Sequence, residues 1–162
     1  MSLSRDFVEF VECLNDAGVE YLLVGGHALA FHGWPRFTKD IDFWVRPSGP
    51  NARRVLGALA AFGFSEIRLV EADIKVPGKV VQLGVPPNRI DLVTSIDGVE
   101  FAPAWRRRVE STYQGKPLHV IHLEDLIANK LATGRAQDRL DAEQLQAASS
   151  PPRPRPGRRK QR

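Results

Sequence analysis

Two aspartates two residues apart, in Thr38-Lys39-Asp40-Ile41-Asp42-Phe43-Trp44-Val45, are the side chains of this sequence best placed to do chemistry. The stretch reads as a strand, along which side chains alternate between faces. Ile41, Phe43 and Val45 then share one face, and Asp40 and Asp42 the other. Two carboxylates one pleat apart repel, and one of them takes up a proton unless a cation lies close by. A hard divalent cation resolves the conflict, because Mg2+ accepts carboxylate oxygens and leaves positions for water and phosphate. Arg89-Ile90-Asp91-Leu92-Val93 offers a third acid in a similar setting, with Asp91 facing away from its apolar neighbours. If the two strands lie side by side, three carboxylates converge. That is the usual number for a two-ion site, which holds the attacking and leaving oxygens of a displacement at phosphorus.

Upstream, Val24-Gly25-Gly26-His27-Ala28 reads as a strand that turns into a helix through two glycines. Glycine permits a tight turn and lets a phosphate come close to the backbone. The first N–H groups of the helix then face that phosphate. Alone, such a pair is an ordinary turn. Joined to Asp-x-Asp on the next strand it is far more specific.

The combination of Leu23-Val24-Gly25-Gly26, a short helix, and Arg36-Phe37-Thr38-Lys39-Asp40-Ile41-Asp42 resembles the DNA polymerase beta nucleotidyltransferase superfamily. Within it, the sequence is most similar to the small bacterial branch of abortive-infection toxins and minimal nucleotidyltransferases, over roughly residues 20 to 135. The resemblance implies an enzyme that transfers an NMP from an NTP such as ATP to an acceptor hydroxyl, and the single cysteine, Cys13, makes a reduced, cytoplasmic setting the expectation. The resemblance makes Asp40, Asp42 and Asp91 the catalytic metal ligands, for two Mg2+ ions with Mn2+ as the alternative. It makes Gly25 and Gly26 the cradle of the triphosphate, and points to Lys130 as a helix lysine that approaches it. Arg36, in the loop before the acids, is read as balancing phosphate charge; Lys39 either does the same or is simply exposed. The implied acceptor is an RNA 3′ end, often tRNA in toxin-like relatives, a partner-protein hydroxyl as in minimal relatives, or a small molecule. A toxin–antitoxin setting with a cognate toxin or antitoxin partner goes with it. There are departures: Gly26 stands where the superfamily often has serine, and the large helical extension of the longer toxins is missing. The rival reading is a non-catalytic, antitoxin-like or partner-binding module that keeps the fold. The full set of three acids argues against it.

Other polar residues have plainer alternatives. Arg135 and Asp138, beyond Lys130, belong either to the site or to a solvated helix face. His27 contacts phosphate, or caps or faces solvent. His32 and Trp34 either reach a base or pack. His119 and His122 straddle a strand end, and with no cysteine nearby they do not suggest zinc. Cys13 reads as a small core residue.

The elements that must position the acids follow from periodicity. Residues 4 to 17 form a helix with Phe7, Phe10, Val11 and Leu14 inward and Ser4 as its cap. Strands are expected at 21–24 and 40–45, a short helix at 27–32, and a helix at 51–62 with Val55, Leu56, Leu59 and Phe62 inward and Gly63 just beyond. Residues 79–85 and 89–96 read as a hairpin turning at Pro86-Pro87-Asn88. An irregular helix at 101–110, a fifth strand at 118–121, a helix at 123–131 with Leu123, Leu126, Ile127 and Leu131 on one side, and a last helix at about 137–147 complete the body. The expectation is α/β (α+β): a mixed sheet of about five strands flanked by helices.

Composition fits one domain. The chain has 162 residues, 43% of them hydrophobic, which is enough for a core. No apolar run is long enough to span a membrane, and no secretory signal is visible. One cysteine cannot form an internal disulfide. The net charge of +4 misleads, because residues 149–162 hold six basic residues and no acid, leaving 17 basic against 19 acidic residues elsewhere. Residues 1–148 are therefore read as the catalytic domain and 149–162 as a disordered Pro/Arg-rich tail, a solubilising extension or an RNA-contacting arm.

Overall fold

Residues 5–34, 40–64, 67–85 and 89–149 are described by a computed structural model. The strands are β1 (Tyr21–Val24), β2 (Asp40–Val45), β3 (Val80–Leu83), β4 (Arg89–Val93), β5 (Val109–Tyr113) and β6 (Lys116–Val120). The helices are α1 (Arg5–Asp16), α2 (Gly25–Phe31), α3 (Gly49–Phe62), α4 (Ala72–Lys75), α5 (Phe101–Arg106), α6 (Leu123–Ala132) and α7 (Ala136–Ser149). The strands form one mixed sheet in the order β3-β4-β2-β1-β6-β5. β2 runs parallel to β4 and β1 parallel to β6, while β1 pairs antiparallel with β2. The two outer pairs, β3–β4 and β5–β6, are antiparallel hairpins. The mixed sheet with flanking helices is the expected class, with six strands in place of about five.

The additional strand is β5, whose residues were partly assigned to an irregular helix. That helix ends at Arg106, and Val109-Glu110-Ser111-Thr112-Tyr113 pairs with β6 instead. The local reason is the Gln114-Gly115 turn, with φ of 48° and 77°. A two-residue turn with both φ positive matches the right-handed twist of a hairpin. The short α4 was also not foreseen. The turn at residues 86–88, the Ser4 cap and the segment 150–162 lie outside the described residues.

Alternation along β2 sets which face is core. Phe43 packs against Phe7 and Phe10 of α1 and against Tyr21, at ring separations of 5.8, 5.5 and 5.5 Å, and Phe62 of α3 closes on Phe10 at 5.3 Å. On the other face Trp44 meets Phe101 of α5 edge-on at 5.0 Å. The α1 positions Phe7, Phe10, Val11 and Leu14 are all buried, as their spacing predicts. Of the expected inward set on α6, Leu126 and Ile127 are buried, but Leu131 is 46% exposed. The helix turns it off the apolar stripe, and Lys130 takes the buried position instead.

Beside the Arg46–Glu20 ion pair, Asn51 fastens the end of β2 remote from the acids. α3 begins at Ser48, whose hydroxyl accepts from the Asn51 N–H at 3.3 Å. Asn51, buried, accepts from the Glu20 N–H at 2.9 Å and donates to the Glu20 and Arg46 carbonyls at 3.1 and 3.0 Å. It thereby joins the start of β1, the end of β2 and α3. Removing it leaves the Glu20 N–H and the Arg46 carbonyl without this partner, at about 1–3 kcal/mol each when left unpaired, while the Glu20 carbonyl keeps the Arg46 N–H. Asn51→Ala is expected to lower unfolding stability by about 2–4 kcal/mol in urea titrations. Ligand binding at the distant acids should survive in the fraction that stays folded. A variant as stable as the parent would show that water replaces these bonds.

Candidate active site

The register between β2 and β4 decides the site. Asp42 lies directly opposite Asp91, and Asp40 directly opposite Arg89. Parallel neighbours stand about 4.8 Å apart, and residues in register share a face. Three carboxylates and one guanidinium therefore occupy one face as a two-by-two array. The row through Asp42 continues to Val24 on β1 and, through Asp91, to the exposed Gln82 on β3.

At the end of β1 the chain turns through Gly25, with φ of +70°. A Cβ built there would lie 2.3 Å from Asp42 Oδ2. Both the left-handed backbone and the space exclude a side chain. The sequence reading assigned this glycine to a phosphate; the structure gives it a more immediate reason, the Asp42 carboxylate packed against it. Gly26 is the next residue of α2 and is half-buried.

Burial, and then the charges of Asp91 and Asp40, push the Asp42 carboxyl up to about 6, against the opposing pull of Arg89 and Lys130. Arg89 clamps Asp91 with both arms of its fork, Nε to Oδ1 and Nη2 to Oδ2, each at 3.0 Å. The same Nη2 lies 3.5 Å from Asp40 Oδ2. Among the described residues no three His, Cys, Asp or Glu side chains are gathered tightly enough to hold a metal ion. Asp91 and Asp40 are turned to Arg89.

Lys130 is buried between α6 and α7. Its Nζ donates to Asp138 Oδ1 at 3.2 Å and Asp141 Oδ2 at 3.3 Å. Asp138 Oδ2 also accepts from Thr133 Oγ1 and Arg135 Nε, both at 2.7 Å. Burial pushes the Asp138 carboxyl up, but these donors outweigh it and hold it below the usual range. Lys130 is thus engaged by α7 while its charge still reaches Asp42.

The remaining candidates divide. Arg36 and Lys39 lie outside the described residues. His27 stacks on Phe7 at 6.3 Å, and its burial lowers its basicity. His32 bonds the Ile121 carbonyl at 2.8 Å, and Trp34 packs against the core. His119 pairs with Glu110 at 2.9 Å, and His122 caps α6 by accepting from the Glu124 N–H at 3.1 Å. Cys13 packs, partly buried, at the core edge. Sequence reasoning missed Arg89. Its signal was present: two residues before Asp91 on one strand is the same face.

Two expectations follow from the Asp42 environment. The folded state raises its pKa from 3.8 to about 6, so the stability contributed by its proton is present below about pH 4 and is lost as pH rises through 6. Without divalent metal, the protein should be more stable at pH 5 than at pH 7.5, by about 1 kcal/mol after solvent screening. Asp42→Asn should flatten that slope in thermal melts at the two pH values, and an unchanged slope would assign it to another group. Gly25→Ala should destabilise by about 1–3 kcal/mol, since the new methyl collides with Asp42 in a strained backbone region; a melt indistinguishable from the parent would show that the turn relaxes freely.

Over residues 5–149 the chain matches the family described as nucleotidyltransferase of unknown function (DUF6036). No curated protein matches it in sequence. Among solved structures it is similar to a Thermotoga maritima protein classed as a nucleotidyltransferase, with 16% identity, 89% of this chain and 90% of that one covered, and a TM-score of 0.60. It is similar also to the lincosamide antibiotic adenylyltransferase LnuA in its lincomycin-bound form, with 14% identity, coverage of 90% and 97%, and a TM-score of 0.56. The antibiotic-resistance factor ANT(2'')-Ia gives 14% identity, coverage of 89% and 82%, and a TM-score of 0.55. At these identities the structural likeness shows a shared fold. The family match spans nearly all the described residues and includes every acid of the array, so the chain belongs to this family of nucleotidyltransferases and is an enzyme of that class.

Proposed function

We propose that the enzyme transfers an NMP from an NTP, ATP being the first candidate, to an acceptor hydroxyl in a divalent-metal-dependent reaction. The observation that carries this reading is the in-register opposition of Asp42 and Asp91 on adjacent parallel strands, with Asp40 one pleat away. The donor set suits Mg2+: three carboxylates share one face, and burial, then the charges of Asp91 and Asp40, push the Asp42 carboxyl up to about 6. Bound ions at Asp40, Asp42 and Asp91 would neutralise charge at the reacting phosphate, and Mn2+ suits the same oxygens.

The chain's own residues position the reactants. The Gly25-Gly26 turn keeps side chains off the path of the phosphates. Lys130 supplies positive charge behind the acids, and Arg36 is assigned to the phosphates from the preceding segment. Asp91 draws on the acceptor hydroxyl as its oxygen attacks the α-phosphorus. The new P–O bond forms as the bond to pyrophosphate breaks, and the hydroxyl proton leaves through Asp91. Catalysis is then largely placement and charge stabilisation. The acceptor is assigned to RNA, at a tRNA 3′ end, or to a protein hydroxyl, in a toxin–antitoxin setting with a cognate partner. The small-molecule adenylyltransferases that share the fold make an antibiotic-like hydroxyl the third arm of the test. The catalytic body is residues 1–148, so a chain ending there should still bind nucleotide.

The test is incubation of the full chain with each α-32P-NTP, Mg2+ or Mn2+, and cellular RNA, protein or small-molecule fractions. Label should enter one fraction, stop with EDTA, and fall roughly 100-fold or more in Asp40→Asn and Asp42→Asn. Both variants should fold, since each removes a repelling charge. Transfer at the parent rate in either variant, or transfer insensitive to EDTA, would overturn the site assignment.

A further inference from the structure

Arg89 is the residue that the transfer reaction leaves unexplained. It stands among the acids, in register with Asp40 and on the same face as Asp91. Its fork engages both oxygens of Asp91 at 3.0 Å while reaching Asp40 at 3.5 Å. Its side chain is 28% exposed, so it can swing away without opening the core. A guanidinium fork matches a phosphate as well as it matches a carboxylate.

We propose that Arg89 is an exchangeable internal cation. It neutralises Asp40 and Asp91 before metal arrives, and it transfers to the polyphosphate when metal and nucleotide bind together. This rests on the reading of Asp40, Asp42 and Asp91 as the metal ligands.

The argument is one of exclusion and linkage. A divalent ion and a guanidinium repel, and they compete for the same carboxylate oxygens. Metal alone must displace Arg89 into water, which weakens metal binding. A polyphosphate offers the displaced fork a new anion, so the penalty falls when both are present. Metal and polyphosphate then bind cooperatively, each strengthening the other by the same factor. The consequence is selectivity for the metal–nucleotide complex over free metal.

The experiment measures Mn2+ binding to the full-length protein by calorimetry, with and without inorganic tripolyphosphate, in the parent, Arg89→Met and Arg89→Lys. Methionine keeps the stem and removes the charge; lysine keeps the charge but not the fork. The expected result is that Arg89→Met binds Mn2+ alone about 10-fold more tightly than the parent, and Arg89→Lys by a smaller factor. Tripolyphosphate should raise Mn2+ affinity about 10-fold in the parent and much less in Arg89→Met. Arg53→Met, which removes a distant charge paired with Glu71, should leave both values unchanged and so exclude a long-range charge effect. Mn2+ affinity and coupling that match the parent in a folded Arg89→Met protein would overturn the proposal while leaving the metal site intact. If Arg89→Met does not fold, the same comparison on Arg89→Lys decides. No Mn2+ binding to the parent even with tripolyphosphate would overturn the metal-site reading and this proposal with it.

Discussion

Repulsion among carboxylates that the sheet forces onto one face is the constraint on which the rest of this structure depends. Parallel pairing of β2 with β4 sets Asp42 opposite Asp91, and the pleat brings Asp40 to the same side. Neither backbone can relieve that crowding without slipping register, and a slip of one residue would take Phe43 out of its aromatic cluster and Trp44 off Phe101. Phe43, wedged among Phe7, Phe10 and Tyr21, makes such a slip costly. The aromatic core on one face therefore holds the acids in place on the other.

The same constraint explains features that look unrelated. Gly25 gives Asp42 room by having no side chain where the carboxylate lies. The latch at Asn51 fixes the far end of β2, so that register is held at both ends of the strand. The outer hairpins complete the sheet, β3 covering the far edge of β4 and β5 that of β6. Each of these residues helps to set where the acids stand.

Much of this was legible in the sequence because it rests on local periodicity. The alternation in Asp40-Ile41-Asp42-Phe43 gave the site face, and the helical spacing of Phe7, Phe10, Val11 and Leu14 gave the packing face of α1. What was not legible depended on partners distant in sequence. Arg89 could be placed on the Asp91 face, but that its fork would reach Asp40 required the β2–β4 register. Lys130 could be singled out as a helix lysine, but its burial and its grip on Asp138 and Asp141 depend on how α7 folds back on α6. β5 was missed because Val109-Glu110-Ser111-Thr112-Tyr113 alternates only weakly, and its identity comes from pairing with β6. Leu131 was misplaced because a lysine, apolar along its stem, can take the inward position once acids await its tip.

Lys130 links this second group of acids to the first. Asp138 and Asp141 bind it on α7, yet its charge still lowers the pKa of Asp42. Among the described residues of this joined network, Asp40, Asp42, Asp91, Asp138 and Asp141 share three cations, Arg89, Lys130 and Arg135. Burial, and then the charges of Asp91 and Asp40, hold the Asp42 carboxyl far above its ordinary range, and Arg89 and Lys130 only partly offset them. Lys130 is held back from Asp42 by its bonds to Asp138 and Asp141 on α7. The α6–α7 pair thus fixes a positive charge behind the acids, and its pull on Asp42 opposes the push of Asp91 and Asp40.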